Sequence, residues 1–159
     1  MDKNIDFSRN LIKGKIAETV FERMFAESGE FTILRSGYEY TYPELAQYPQ
    51  LKFVEKYLEK IRHNPDFILI SKDRKRAFIV EVKYRTSPDS EEILVIAQRT
   101  KNLQDPSFLF IASPDGFFFD PCNRIIINNG KVSRLSERWI NKEIRDKYLK
   151  LMNEFKSKN

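Results

Sequence analysis

Two apolar runs, Asp66 to Ser71 and Ala77 to Tyr84, flank the polar segment Lys72-Asp73-Arg74-Lys75-Arg76 and limit what this chain can fold into. Phe67 to Ile70 and Ala77 to Val80 are apolar at every position. A strand with one wet face alternates with period two, so unbroken runs predict central strands covered on both faces and joined as an antiparallel hairpin. Helical patterns surround them. Ser8 is placed as the N-cap of a helix running to about Ser28, with Gly29 at its left-handed C-terminal cap. At about 100° per residue, Ile12, Ile16, Val20 and Met24 form one ridge of that helix and Ala17, Phe21 and Phe25 the next, which predicts a buried face. A short strand at Phe31 to Leu34 follows, then a tyrosine-rich loop. A second helical pattern, opened by Pro49, carries Phe53, Val54, Tyr57, Leu58 and Ile61.

After the hairpin, a helix from Ser90 with Glu91 and Glu92 in its first turn stops before Asp105-Pro106, although its Ile-Leu-Val-Ile run is β-prone. Ser107 to Ala112 and Phe117 to Phe119 read as strands around a Ser113-Pro114-Asp115-Gly116 turn. Asn129-Gly130, between Arg124 to Ile127 and Lys131-Val132, is a two-residue hairpin signal. The last helix is expected from near Ser133 or Ser136, burying Ile140, Ile144, Tyr148, Leu151 and Phe155. The expectation is an α/β sandwich: a mixed central β-sheet flanked by helices, with a small C-terminal β-hairpin and a basic helix. One domain spans 1–159, its core at about 8–120 and the β appendage and basic helix at about 121–159.

Composition narrows the chemistry. Cys122 is the only cysteine and His63 the only histidine, so a disulfide framework or a Cys/His zinc site cannot be assembled within the chain. Any metal must be held by oxygen ligands, which favours Mg2+, with Mn2+ as a substitute. No stretch approaches the ~20 apolar residues of a membrane span, and Met1 to Arg9 is charged where a signal peptide needs an apolar region. A soluble, cytoplasmic protein with no membrane partner is expected. From Lys131 onward nine Lys and Arg stand against four Asp and Glu, so the tail carries the whole net charge of +5. A basic flank suits nucleic acid, and equally a solvated amphipathic helix.

Glu81 and Lys83 interrupt the second apolar run and, two residues apart, share one strand face. With the turn centred on Asp73-Arg74, Asp66 lies seven residues before it and Glu81 seven after, which places them opposite each other. Cross-strand Cβ atoms are about 4.5–5.5 Å apart, and like charges that close repel unless a cation is shared. The first helix adds Glu18 at the rim of its apolar face, while Glu22, one turn on, is expected in solvent.

Asn64-Pro65-Asp66, followed by Glu81-Val82-Lys83, resembles the PD-(D/E)XK motif of restriction-endonuclease-like nucleases. Lys13-Gly14-Lys15-Ile16-Ala17-Glu18 is similar to the opening helix of Holliday junction resolvases in that superfamily, where Gly-x-x-Ala-Glu supplies a catalytic acid. Arg35-Ser36-Gly37 also resembles those resolvases. The resemblance covers about Lys13 to Arg85. Gln98 is followed by Asn102, so the Gln-x-x-x-Tyr signature of RecB-like members is missing.

The resemblance implies a restriction-endonuclease-like core and a Mg2+-dependent phosphodiesterase acting on DNA, as an endonuclease. Asp66, Glu81 and the backbone carbonyl of Val82 would hold the metal, Lys83 would orient water or stabilise transition-state charge, and Glu18 would complete the site. Arg85 is the first candidate for phosphate contact, Arg35 and Lys15 weaker ones. A homodimer is implied because two strands must be cut. The competing expectations are a catalytically inactive nucleic-acid-binding module on the same fold and an RNA-processing nuclease.

Either motif alone is more often structural: Pro-Asp opens turns, and Glu-x-Lys is a common same-face ion pair. The tip Lys72 to Arg76, roughly 20 Å from Asp66 at the strand rise of about 3.3 Å per residue, reads as a solvated turn. His63 reads as a helix-end cap, and Tyr38, Tyr40 and Tyr42 as edge-strand packing before base stacking.

Overall fold

A computed structural model describes residues 3–36, 65–103 and 105–157. The expected second helix, the Tyr38, Tyr40 and Tyr42 segment and His63 lie outside the described residues. Within them the order is α1 (Lys3–Ser28), β1 (Phe31–Arg35), β2 (Phe67–Ser71), β3 (Ala77–Tyr84), α2 (Ser90–Leu103), β4 (Ser107–Ser113), β5 (Gly116–Pro121), α3 (Cys122–Ile127) and α4 (Lys142–Ser157).

The five strands form one mixed sheet in the order β1-β2-β3-β4-β5. Only β3 and β4 are parallel, and the return between them is made by α2. A parallel pair needs a crossover, which is why the β-prone Ile-Leu-Val-Ile run is helical. Helices cover both faces. Ala17, Val20, Phe21, Met24 and Phe25 of α1 pack with Met152 of α4 on one face, against Phe67, Val80, Phe108 and Phe110. Ile93, Ile96 and Ala97 of α2 and Cys122 and Ile125 of α3 cover Leu109 and Ile111 on the other. Phe21 is the hub of the larger layer, its ring 4.5 Å from Phe25, 4.9 Å from Phe67 and 5.0 Å from Phe110. Burying each such ring contributes ~2–3 kcal/mol.

Coverage is less even than the apolar runs predict. β4 is buried at every position, but β2 alternates buried with half-buried and only one face of it is in the core. The first helix begins at Lys3, so Ser8 lies inside it; Gly29, at φ 74°, terminates it as expected. Ile12 does not join its ridge: it is 55% exposed.

The C-terminal region corrects two expectations. Arg124 to Ile127 belongs to helix α3, not to a β-hairpin. The Asn-Gly signal marked left-handed backbone correctly, with Asn129 at φ 57° and Gly130 at φ 90°. That geometry serves a type I′ hairpin and a helix C-terminus alike. Here the Asn129 and Gly130 N–H groups donate to the carbonyls of Ile126 and Ile125 and close the helix. A Cβ at Gly130 would stand 1.9 Å from the Ser90 carbonyl oxygen, so the cap is pressed against the start of α2.

The last helix starts at Lys142, later than either serine. Ser133 and Leu135 run beside β5 through a Phe119 N–H to Ser133 carbonyl bond and a Leu135 N–H to Phe117 carbonyl bond. Asn141 caps α4, its Oδ1 accepting from the Ile144 N–H at 2.9 Å. Met152 is the buried anchor of α4, while Leu151 and Phe155, expected inside, are 44% and 57% exposed. With Leu11 and Ile12 they border an open apolar groove of about 450 Å³ between α1 and α4. Among the described residues, no helix is long and apolar enough to cross a membrane.

Candidate active site

Asp66 occupies a bend just before β2, fastened by local bonds. The Ser36 N–H donates to the Asp66 carbonyl at 3.0 Å, and the Ser36 hydroxyl to the Pro65 carbonyl at 2.6 Å. The β2–β3 register pairs Phe67 with Val80, and one more step places Asp66 opposite Glu81, as the turn centre predicts. The Val82 N–H donates to Asp66 Oδ2 at 2.8 Å, which fixes the carboxylate at the point where β2 begins and β3 continues past it. Within an extended residue the N–H and C=O project to the same side, so the Val82 carbonyl is turned toward that edge too.

Strand alternation separates the remaining groups. Val80 and Val82 enter the α1-side core, whereas Glu81 and Lys83 lie on the other face beside Leu109 and Ile111. Lys83 Nζ is 3.0 Å from Glu81 Oε1. Glu18 comes from α1, with Lys15 Nζ 3.6 Å from its Oε2. Asp66, at the bend, is the residue where these two groups meet.

The electrostatics follow from that position. Burial, then the Glu81 carboxylate, push the Asp66 carboxyl up to about 8, with Glu18 adding to the rise; the Val82 N–H and Lys83 pull the other way. Crowded acids in a partly desolvated site favour the neutral form unless a cation is present. An elevated carboxyl with named charged partners beside an open pocket is a physical marker of a functional site.

That pocket, about 470 Å³, is lined by Glu18, Asp66, Val82, Lys83 and Arg85, together with Asn10, Lys13, Gly14, Tyr84 and Thr86. Glu81 is not in its wall and holds Lys83 instead. Among the described residues, no group of three or more Asp, Glu, His or Cys side chains stands at metal-ligand spacing. The donor chemistry nevertheless suits a hard cation. Mg2+ commonly takes one or two carboxylates, completing its shell with waters and substrate phosphates, and Asp66 with Glu81 matches that sparse requirement.

The three candidate phosphate contacts divide. Arg85 lines the pocket, but its Nε donates to Glu92 Oε1 at 2.6 Å and its Nη1 to the Tyr84 carbonyl at 2.7 Å, so it is a held cation. Arg35 pairs with Glu22, which is therefore not simply solvated, and lies over the Phe67 ring. Lys15 pairs with Glu18 and borders the apolar groove, not the acid pocket. A cation to which the motif assigned no role is Lys13, whose Nζ is 5.8 Å from the Tyr84 ring centroid in the pocket wall. Asn10, Gly14 and Glu18 at four-residue spacing mark the helix face that enters the pocket, and Lys13 adjoins it.

The basic tail is partly neutralised from within. Lys147 pairs with Glu27, and Arg145 Nη2 lies 3.4 Å from Glu137 Oε1. Compared with known proteins, the chain matches none of the established family descriptions and no curated sequence.

Proposed function

We propose that this protein is a Mg2+-dependent nuclease of the PD-(D/E)XK kind, hydrolysing phosphodiester bonds in DNA as an endonuclease. The observation that carries the reading is the register of the β2–β3 hairpin, which sets Asp66 against Glu81 with Lys83 on the same strand. The mixed sheet with α1 across the acid end is compatible with a restriction-endonuclease-like core.

Asp66 and Glu81 would hold the cation, with the Val82 carbonyl on the same edge. When bound, such an ion acidifies a water ligand and offsets charge on the scissile phosphate. The Val82 N–H keeps the Asp66 carboxylate oriented. Lys83, within 3.0 Å of Glu81, supplies a positive charge where negative charge develops during phosphoryl transfer. Glu18, across the pocket, would orient water. Lys13 and Arg85 offer cations to the phosphates flanking the reacting one.

Incubating the purified chain with plasmid and with branched DNA in Mg2+, beside Asp66→Ala and Lys83→Ala, tests this. Loss of cleavage in both variants supports it. Cleavage that survives both substitutions refutes it, and preferential cleavage of RNA reassigns the substrate. A second reading, a nucleic-acid-binding module without hydrolysis, is favoured by Glu81 standing outside the pocket wall and by the lack of a third converging acid among the described residues. Salt-dependent binding without cleavage in Mg2+ or Mn2+ selects it.

A further inference from the structure

We propose a second nucleic-acid contact at the opposite end of the hairpin: a cationic, aromatic-floored cleft that holds backbone phosphates of duplex DNA away from the acids. It rests on the nucleic-acid reading of the chain but not on hydrolysis.

The cleft, about 390 Å³, joins segments far apart in sequence: Lys72 and Arg76 from the β2–β3 turn, Phe31 and Phe78 from the sheet, and Arg138-Trp139 from the stretch before α4. Trp139 stacks on Phe31 at 5.9 Å and meets Phe78 edge-on at 6.0 Å, forming a rigid floor. Two guanidiniums lie over aromatic faces, Arg138 at 5.8 Å from the Trp139 ring and Arg76 at 5.7 Å from the Phe78 ring. Laid on a ring, an arginine loses less freedom when it takes a phosphate, and its fork geometry suits phosphate oxygens.

Charge separates this cleft from an ordinary wet turn. Among the described residues, neither Lys72, Arg74, Lys75, Arg76 nor Arg138 forms an ion pair with a carboxylate. Glu30 and Asp73 also line the cleft, so Lys72, Arg76 and Arg138 outnumber the acids there by one; Asp73, beside the Arg76 charge, is engaged by the turn itself. It accepts from the Ser71 hydroxyl at 2.6 Å and the Lys75 N–H at 2.9 Å. The Ser71 hydroxyl in turn accepts from the Arg76 N–H at 3.1 Å. Arg74 sits at φ 60°, a conformation that costs an L-residue with a Cβ about 1 kcal/mol and glycine nothing.

The cations are spread along the turn and not focused on one point, which suits a row of phosphates better than a single small anion. At about 3.3 Å per strand residue the cleft lies roughly 20 Å from Asp66, a length that ~6 base pairs of duplex span.

The test is fluorescence anisotropy of a labelled 20-base-pair duplex with the full chain in EDTA, so that no cleavage intervenes. Arg76 and Arg138 are exposed, and R76Q/R138Q is expected to keep its thermal transition while binding ~10-fold more weakly at 0.1 M salt, with a log–log salt slope about 2 shallower. K72Q/R74Q, which touches no core residue, is expected to do the same. Affinity and slope unchanged in both variants would overturn the proposal. So would tight binding of a polyglutamate peptide of equal charge that the same substitutions weaken as much as they weaken DNA, since the cleft would then fit an acidic protein. Because no metal is present, the outcome is independent of cleavage: a chain that never cuts DNA can still pass, and one that cuts can still fail.

Discussion

The two ends of one hairpin carry opposite chemistry. At the open end, where β2 begins and β3 runs on, burial makes Asp66 resist ionisation, and the Glu81 carboxylate and then Glu18 add to the effect. At the closed end, four cations and a single acid share a five-residue turn, and Arg138 joins them from across the fold. The same strands bury Phe67, Leu69, Val80 and Val82 between these ends. The core therefore holds two charge clusters of opposite sign apart, and in the proposed reading each would be relieved by an opposite charge from outside: a cation at the acids, a polyanion at the turn.

The largest effect that would break this contrast is at the acid end. Lys83→Ala is expected to reduce cleavage on the order of 10³-fold with duplex affinity unchanged, because its charge acts on the transition state and not on remote backbone; a gel assay on single-turnover samples reads it. Next is the stability of metal-free protein. The Asp66 carboxyl is raised in the fold from 3.8 to about 8, so the folded chain holds a proton that the unfolded chain releases. Wild-type stability must then fall as pH rises between those values, and it is unaffected below the lower one. Asp66→Asn, neutral throughout, is expected to be more stable than wild type by several kcal/mol at pH 8 in EDTA, with the gain vanishing near pH 4. Urea unfolding at both pH values checks this, and a variant less stable at pH 8 would mean that the acid is not crowded. At the cation end, the ~10-fold loss of duplex affinity in R76Q/R138Q ranks third. Smallest is Arg74→Gly, expected to raise stability by about 0.5 kcal/mol while weakening duplex binding a few-fold, which denaturant titration and anisotropy would read together.

How far each end could be read in advance follows from sequence separation. The acid end is written locally: the spacing from Asp66 through the turn to Glu81 fixes the register, and a same-face Glu-x-Lys needs only period-two geometry. The closed end is not. Lys72 to Arg76 read as a solvated turn until Arg138 and Trp139, more than sixty residues on, fold against it. Helix faces were legible where one side is plainly apolar, as at Val20, Phe21 and Phe25. They misled where apolar residues stay outside, at Ile12, Leu151 and Phe155. The Asn129-Gly130 signal identified backbone conformation but not its use, because left-handed residues close both hairpins and helices. The pairing of Arg35, a weaker phosphate candidate, with Glu22 was not legible, because the two sit on different elements and cannot be matched from spacing.

Anomalous scattering from a crystal soaked in MnCl2 tests most directly whether Asp66 and Glu81 share a cation. One peak is expected at the open end of the hairpin, about 2.1–2.2 Å from a carboxylate oxygen of each, and absent in Asp66→Asn. A soaked crystal with the two acids still opposite each other and no manganese between them would contradict it.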